Sequence, residues 1–140
     1  MSDRFFIDTN IFVYNFDATA KRKQQISRDL VASALSQNTG VISYQVIQEF
    51  LNVATRKFAQ PLTPQDAKQY LSQVLFPLCE VFPTESLYSA ALDLSIETQY
   101  SFYDSLILAA AVAGGCRTLH SEDLCHGRTV AGVTIQNPFR

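Results

Sequence analysis

Residues 5–14 read FFIDTNIFVY, and the fold turns on how that stretch is interpreted. Phe5-Phe6-Ile7 is a continuous apolar run, the pattern of a strand covered on both faces. It stops at Asp8-Thr9-Asn10, which puts a carboxylate at a strand tip. In open α/β sheets the carboxyl ends of the strands line the crevice where ligands bind, so a charge placed there faces a site. The same three residue types also cap helices, and a short helix is expected to begin near Ile11. Which role matters depends on whether other carboxylates reach the same end of the sheet.

Working outward from that stretch, Lys21–Ser36 carries apolar residues at Ile26, Leu30, Val31, Ala34 and Leu35, which is helical spacing. Gly40 breaks the chain, Val41-Ile42 reads as a brief strand, and Ser43 is a cap for a helix over Tyr44–Phe58. On a wheel of that helix Glu49 falls about 40° beyond the Val53 edge of the apolar arc, which makes it a boundary residue. Thr63 and Pro64 open a helix over Gln65–Leu75, stopped by Pro77. Glu80-Val81-Phe82 is a third strand and Thr84–Thr98 the next helix. Ser101–Gly114, SFYDSLILAAAVAG, is apolar on every side from Leu106 onward, the mark of a buried helix, and Asp104 stands in its opening turn. Arg117–His120 is a strand ending at Ser121-Glu122-Asp123, and Val133-Thr134-Ile135 an edge strand. Strands alternating with helices predict a three-layer α/β/α sandwich around a mainly parallel sheet.

The 140 residues contain no repeat, low-complexity segment or linker, so a single domain over residues 1–140 is expected. An apolar fraction of 47% with 17% charged residues excludes a disordered chain. The longest apolar run, Leu106–Ala113, is too short to span a bilayer, and Met-Ser-Asp-Arg at the N-terminus carries no signal-like apolar core. A soluble, cytoplasmic protein is expected. Cys79, Cys116 and Cys125 are odd in number and lack any CxxC pair, which argues for a reducing compartment and against a thiolate zinc site at Cys125-His126. The net charge of −2 gives no general attraction to polyanions, and the one basic cluster is Lys21-Arg22-Lys23 with Arg28 a turn later.

Asp8, Glu49, Asp104 and Asp123 each have a structural explanation when taken singly. Asp8 could cap a helix, Glu49 could pair with Arg56, Asp104 could meet a helix dipole and Asp123 could stabilise a turn. Together they converge on one end of a parallel sheet. Two carboxylates about 4 Å apart repel by roughly 4 kcal/mol at the effective dielectric of a protein surface, and a divalent cation removes that cost. Mg²⁺ suits an all-oxygen ligand set, with Mn²⁺ as the alternative, and the chemistry that follows is phosphodiester hydrolysis.

Phe6-Ile7-Asp8-Thr9-Asn10, the helix segment VIQEFLNV around Glu49, Tyr103-Asp104-Ser105-Leu106-Ile107 and the block LHSEDLCHG resemble the signatures of PIN-domain ribonucleases. The similarity is strongest to the VapC toxins of toxin–antitoxin pairs and runs from residue 5 to Asn137-Pro138-Phe139. It implies a Mg²⁺-dependent endoribonuclease acting on RNA, usually a homodimer, neutralised by a small VapB-like antitoxin whose tail enters the active-site groove. By that resemblance Asp8 and Asp104 are the principal metal ligands, and Glu49 holds metal-bound water or a second ion. Asp123 is the fourth acid, at the usual acidic position of a T/S-x-D pattern, with adjacent Glu122 as the alternative. Thr9, Asn10 and Ser105 are polar supports. Lys21, Arg22, Lys23, Arg28 and Arg56 are candidate contacts to RNA phosphates.

Two other classes stand beside this reading: a PIN nuclease of RNA processing or DNA-end trimming outside a toxin pair, and a catalytically silent interaction module. A phosphate-loop or dinucleotide-binding protein is disfavoured because no glycine-rich loop follows the first strand. An aspartyl-phosphate hydrolase is disfavoured because its second aspartate would fall at Asn10.

Overall fold

The structure, a computed structural model, describes residues 3–140; Met1 and Ser2, which belong to the N-terminal reading above, lie outside it. Six strands form one sheet in the order β3-β2-β1-β4-β6-β5. They are β1 (Phe5–Ile7), β2 (Gly40–Ser43), β3 (Cys79–Val81), β4 (Thr118–His120), β5 (Thr129–Val130) and β6 (Val133–Gln136). All neighbours pair in parallel except β5, which is antiparallel to β6. The mainly parallel sheet of the sequence reading is therefore present. Phe6 and Ile7 point to opposite faces of β1 and both are 0% exposed, so both faces are covered, as a continuous apolar strand requires.

From β1 the chain winds outward through α1 (Thr9–Tyr14) and α2 (Lys21–Gln37) to β2. It continues through α3 (Tyr44–Arg56), α4 (Pro64–Tyr70) and α5 (Phe76–Leu78) to β3. It then crosses back over the sheet through α6 (Glu85–Thr98) and α7 (Phe102–Ala113) to reach β4 on the other side of β1. Parallel crossovers are right-handed, so reversing the direction of travel moves α6 and α7 to the opposite face from α1–α5. The reversal makes β1 and β4 the topological switch point, where doubly wound sheets open a crevice at their carboxyl ends.

The buried helix is α7, in which every residue from Ser105 to Ala111 is buried. Its large side chains Leu106, Ile107 and Leu108 each contribute roughly 1.5–3 kcal/mol by leaving water. Close approach on the other face depends on Gly40, where a Cβ would lie 2.3 Å from that of Ala34 on α2.

Three expectations are corrected. Val133–Gln136 is an interior strand, because the two-residue strand β5 pairs outside it and takes the edge. Pro77 does not stop the preceding helix, which passes through a π-helical turn at Leu71–Leu75 and ends at Leu78. A wider turn relieves the clash between a proline ring and the carbonyl four residues back. Ser43 occupies the cap position of α3 but makes no capping hydrogen bond. Among the described residues, no helix is long and apolar enough to cross a membrane.

Candidate active site

Asp8 leaves β1 and becomes the N-cap of α1, with Oδ1 accepting from the Thr9 amide at 2.7 Å. Its own amide donates to the His120 carbonyl at 3.0 Å, which extends the β1–β4 ladder to the strand tips. The Ser121 hydroxyl donates to Asp8 Oδ2 at 2.8 Å. Capping and a role at the crevice are thus compatible, because the capping geometry itself turns this carboxylate toward β4.

Glu49 sits on α3 directly after β2. The Thr9 hydroxyl donates to its Oε1 at 2.7 Å, and Gln45, one turn earlier, donates to its Oε2 at 3.1 Å. These bonds, and not one to Arg56, are what hold Glu49. Asp104 lies in the first turn of α7, where its amide donates to Ser101 Oγ at 3.2 Å. Asp123 follows β4, and Asn10 Nδ2 donates to its Oδ2 at 2.6 Å. A pocket of about 290 Å³ is lined by Asp8, Thr9, Asn10, Glu49, Asp104 and Asp123 together.

The four acids singled out in the sequence therefore share one cavity at the switch point. Ser105 does not line it: the residue is 0% exposed, and its hydroxyl finds no partner. Gln45 and Asn52 do line it, four residues before and three after Glu49, a spacing along one helix face that could have nominated them. Ser121 is the other residue the sequence reading left out, although it is the hydroxyl position of the T/S-x-D pattern.

Adjacent Glu122 and Asp123 take opposite directions. Glu122 accepts from Lys23 and, at 2.7 Å, from the Tyr14 hydroxyl, away from the pocket. Burial pushes the Glu122 carboxyl up, but these two hydrogen bonds outweigh it and hold the group below the usual range. Lys23, a candidate phosphate contact, is committed to that pair and lies over the rings of Tyr14 and Phe139. Arg28 Nε donates to the Asn15 carbonyl at 3.0 Å, whereas Lys21, Arg22 and Arg56 are exposed.

Burial raises the Asp8 carboxyl from 3.8 to about 6, and the charges of Glu49 and Asp123 push the same way against the Ser121 and Thr9 hydrogen bonds. Asp123 is also raised, first by burial and then by Glu122 and Asp104, with Asn10 opposing. Among the described residues no three acidic, histidine or cysteine side chains close into a ready cage, so the acids face an open pocket. An all-oxygen donor set in which Asp8 and Asp123 are raised partly by neighbouring carboxylates fits a hard divalent cation, above all one that keeps several of its waters.

Residues 5–128 match the family model of the PIN domain. The chain belongs to the PIN-domain family. No curated protein sequence matches it significantly. Among solved structures, a toxin–antitoxin complex from Klebsiella pneumoniae is similar at 17% identity and a TM-score of 0.64, covering 95% of this chain and 96% of that one. VapC20 of Mycobacterium tuberculosis, described as a toxin that cleaves the sarcin–ricin loop, is 20% identical, with a TM-score of 0.57 and coverage of 85% and 89%. FitAcB from Neisseria gonorrhoeae is 16% identical, with a TM-score of 0.62 and coverage of 96% and 98%. At such identities the likeness is one of fold, and it covers nearly the whole chain.

Proposed function

We propose that this PIN-domain chain is a metal-dependent endoribonuclease of the VapC toxin type. The observation that carries the reading is the meeting of Asp8, Glu49, Asp104 and Asp123 in one pocket at the switch point of the sheet. These four carboxylates would hold Mg²⁺ or Mn²⁺, with Asp8 and Asp104 as the principal ligands. Bound there, the ion supplies an activated water and stabilises negative charge on the scissile phosphate.

The chain's own part is positioning. Thr9 joins Asp8 to Glu49, since its amide donates to the first and its hydroxyl to the second. Ser121 orients Asp8 from β4, and Asn10 orients Asp123 from α1. Asp8, Glu49 and Asp123 are thus each held by a residue of a different element, which fixes their mutual placement before substrate arrives. Lys21, Arg22, Arg28 and Arg56 are the proposed contacts to RNA phosphates. A small VapB-like antitoxin as neutralising partner, and a homodimer, complete the reading; structural likeness to a toxin–antitoxin complex supports the former.

The test is cleavage of a mixed tRNA and rRNA pool by purified, antitoxin-free protein in Mg²⁺ or EDTA. Discrete fragments are expected in Mg²⁺ only, and their yield should fall at least about 100-fold in Asp8→Ala and in Asp104→Asn, as loss of several kcal/mol of charge stabilisation requires. Full activity in Asp104→Asn would remove that residue from the mechanism. Absence of fragments from folded, metal-loaded protein would overturn the nuclease reading.

A further inference from the structure

Beside the acidic pocket lies a second cavity of about 240 Å³. Gln45 and Tyr103 belong to the walls of both, so the two cavities are adjacent. The second is different in kind, because no charged side chain lines it. Aromatic rings dominate its rim: Tyr44, Tyr88, Phe102 and Tyr103 are 42%, 43%, 36% and 66% exposed. Tyr88 and Phe102 lie with centroids 6.4 Å apart and planes 31° from parallel, and Phe102 meets Tyr103 edge-on at 5.6 Å. A single exposed ring needs no explanation, but a contiguous group opening off a reactive pocket does.

Two of its lining residues also carry a buried polar atom without a partner, Ser43 Oγ and Gln45 Oε1. Ser43 is only 3% exposed. The other end of the Gln45 amide is already used, donating to Glu49 Oε2 at 3.1 Å and to the Tyr103 carbonyl at 3.2 Å. Its oxygen is therefore left as an acceptor in need of an N–H, and an unpaired buried acceptor is unfavourable until a donor arrives.

We propose that this cavity is a nucleobase subsite, which seats one base of a single-stranded RNA next to the phosphate held by the acidic pocket. The base stacks on Tyr88 and Phe102, and a side-chain shift at Ser43 and Gln45 presents their buried oxygens to an N–H of its Watson–Crick edge. Single-stranded RNA is recognised in this way, by splayed bases on aromatic faces with hydrogen bonds to their edges. The absence of charge on the wall suits a base and not a phosphate. A volume below the 300–1,000 Å³ typical of drug-sized pockets suits one ring system. The inference rests on the nuclease reading and adds to it the part of the substrate that confers preference.

The test uses Asp8→Asn protein, so that binding is read without cleavage. Single-stranded RNA oligonucleotides with an abasic residue at successive positions are titrated by fluorescence anisotropy against this protein and against the same protein carrying Tyr88→Leu or Phe102→Leu. One position is expected at which loss of the base weakens binding by roughly 5- to 150-fold, the range for one stacked base. The leucine variants should erase that difference and Tyr88→Trp should restore it. Both rings are partly exposed, so the replacements leave the core intact. Identical abasic profiles in all proteins would overturn the subsite. So would leucine variants that dissociate a dimer in sedimentation while leaving the profile unchanged, since the rings would then be a protein contact. RNA that is cleaved by wild type but read without base preference at this site sinks the subsite alone. RNA that is neither bound nor cleaved sinks the nuclease reading with it.

Discussion

Asp8 carries two opposed energies. As N-cap it satisfies the Thr9 amide, an interaction typically near 1 kcal/mol. As a partly buried carboxylate near Glu49 and Asp123 it titrates at about 6 instead of 3.8. A carboxyl whose pKa is raised by folding stabilises most when protonated, below the unfolded value, and that contribution is lost as pH rises through the folded value. Above pH 7 the deficit is about 3 kcal/mol at roughly 1.4 kcal/mol per unit. Asp8→Asn removes the ionisation and keeps one acceptor, so metal-free protein should gain about 1–3 kcal/mol at pH 8 and nothing near pH 4. Urea midpoints at the two pH values measure this, and an unchanged or lowered midpoint at pH 8 would refute it. The position of Asp8 could be read from FFIDTN because an apolar strand ends there. Its partner Ser121 was not separated from the turn, since a serine beside Glu122-Asp123 satisfies turn chemistry equally well without a site. The direction of Glu122 was unreadable for a different reason: it depends on Lys23 and Tyr14, 99 and 108 residues away in sequence.

Elements defined by a long apolar period were legible, and those defined by tertiary contact were not. The helix α7 announced itself through Leu106–Ala113, and α6 was expected over Thr84–Thr98, where the structure adds a cap: the Thr84 hydroxyl accepts from the Leu87 amide at 3.1 Å. Strand β5 has only Thr129-Val130, too few residues for a periodic signal, and exists because β6 pairs with it. The connection is a two-residue hairpin turn in which Ala131 and Gly132 both have positive φ, 49° and 83°. Such turns favour Asn-Gly or Asp-Gly, so Ala-Gly gave no hairpin signature. Alanine in the left-handed region is strained by roughly 1–2 kcal/mol, whereas asparagine tolerates it. Ala131 is exposed, so Ala131→Asn should stabilise by about 0.5–1 kcal/mol with no change in RNA cleavage. Thermal unfolding decides: a lowered Tm would mean that the Ala131 methyl contributes packing that outweighs backbone strain.

At the scale of the molecule, the same winding that builds the sheet gathers acids from residues 8, 49, 104 and 123 at one end of it. The sheet is thus assembled around a concentration of negative charge, which the proposed cation would offset. A second group has the opposite pH dependence. His120, on β4 against the Phe5 ring, is lowered by burial from 6.5 to about 4. A histidine held neutral by folding contributes stability that is complete above its unfolded value and is lost as pH falls through the folded one. Between pH 4 and 6.5 metal-free stability therefore gains from His120 and loses from Asp8 as pH rises, each by about 3 kcal/mol, and the two nearly cancel. Stability should therefore rise more steeply with pH over that range in Asp8→Asn than in the wild type. Mg²⁺ breaks the balance on one side only. A ligand at 100 times its Kd stabilises the folded state by about 2.7 kcal/mol, or several degrees in Tm for a domain of this size. The shift should be full at pH 8, shrink at pH 5 where protons compete for Asp8, and largely vanish in Asp8→Asn at both. Differential scanning calorimetry with Mg²⁺ or EDTA measures all four combinations. A Mg²⁺ shift that is independent of pH and survives Asp8→Asn would place the cation away from this carboxylate and separate the fold's charge imbalance from its site.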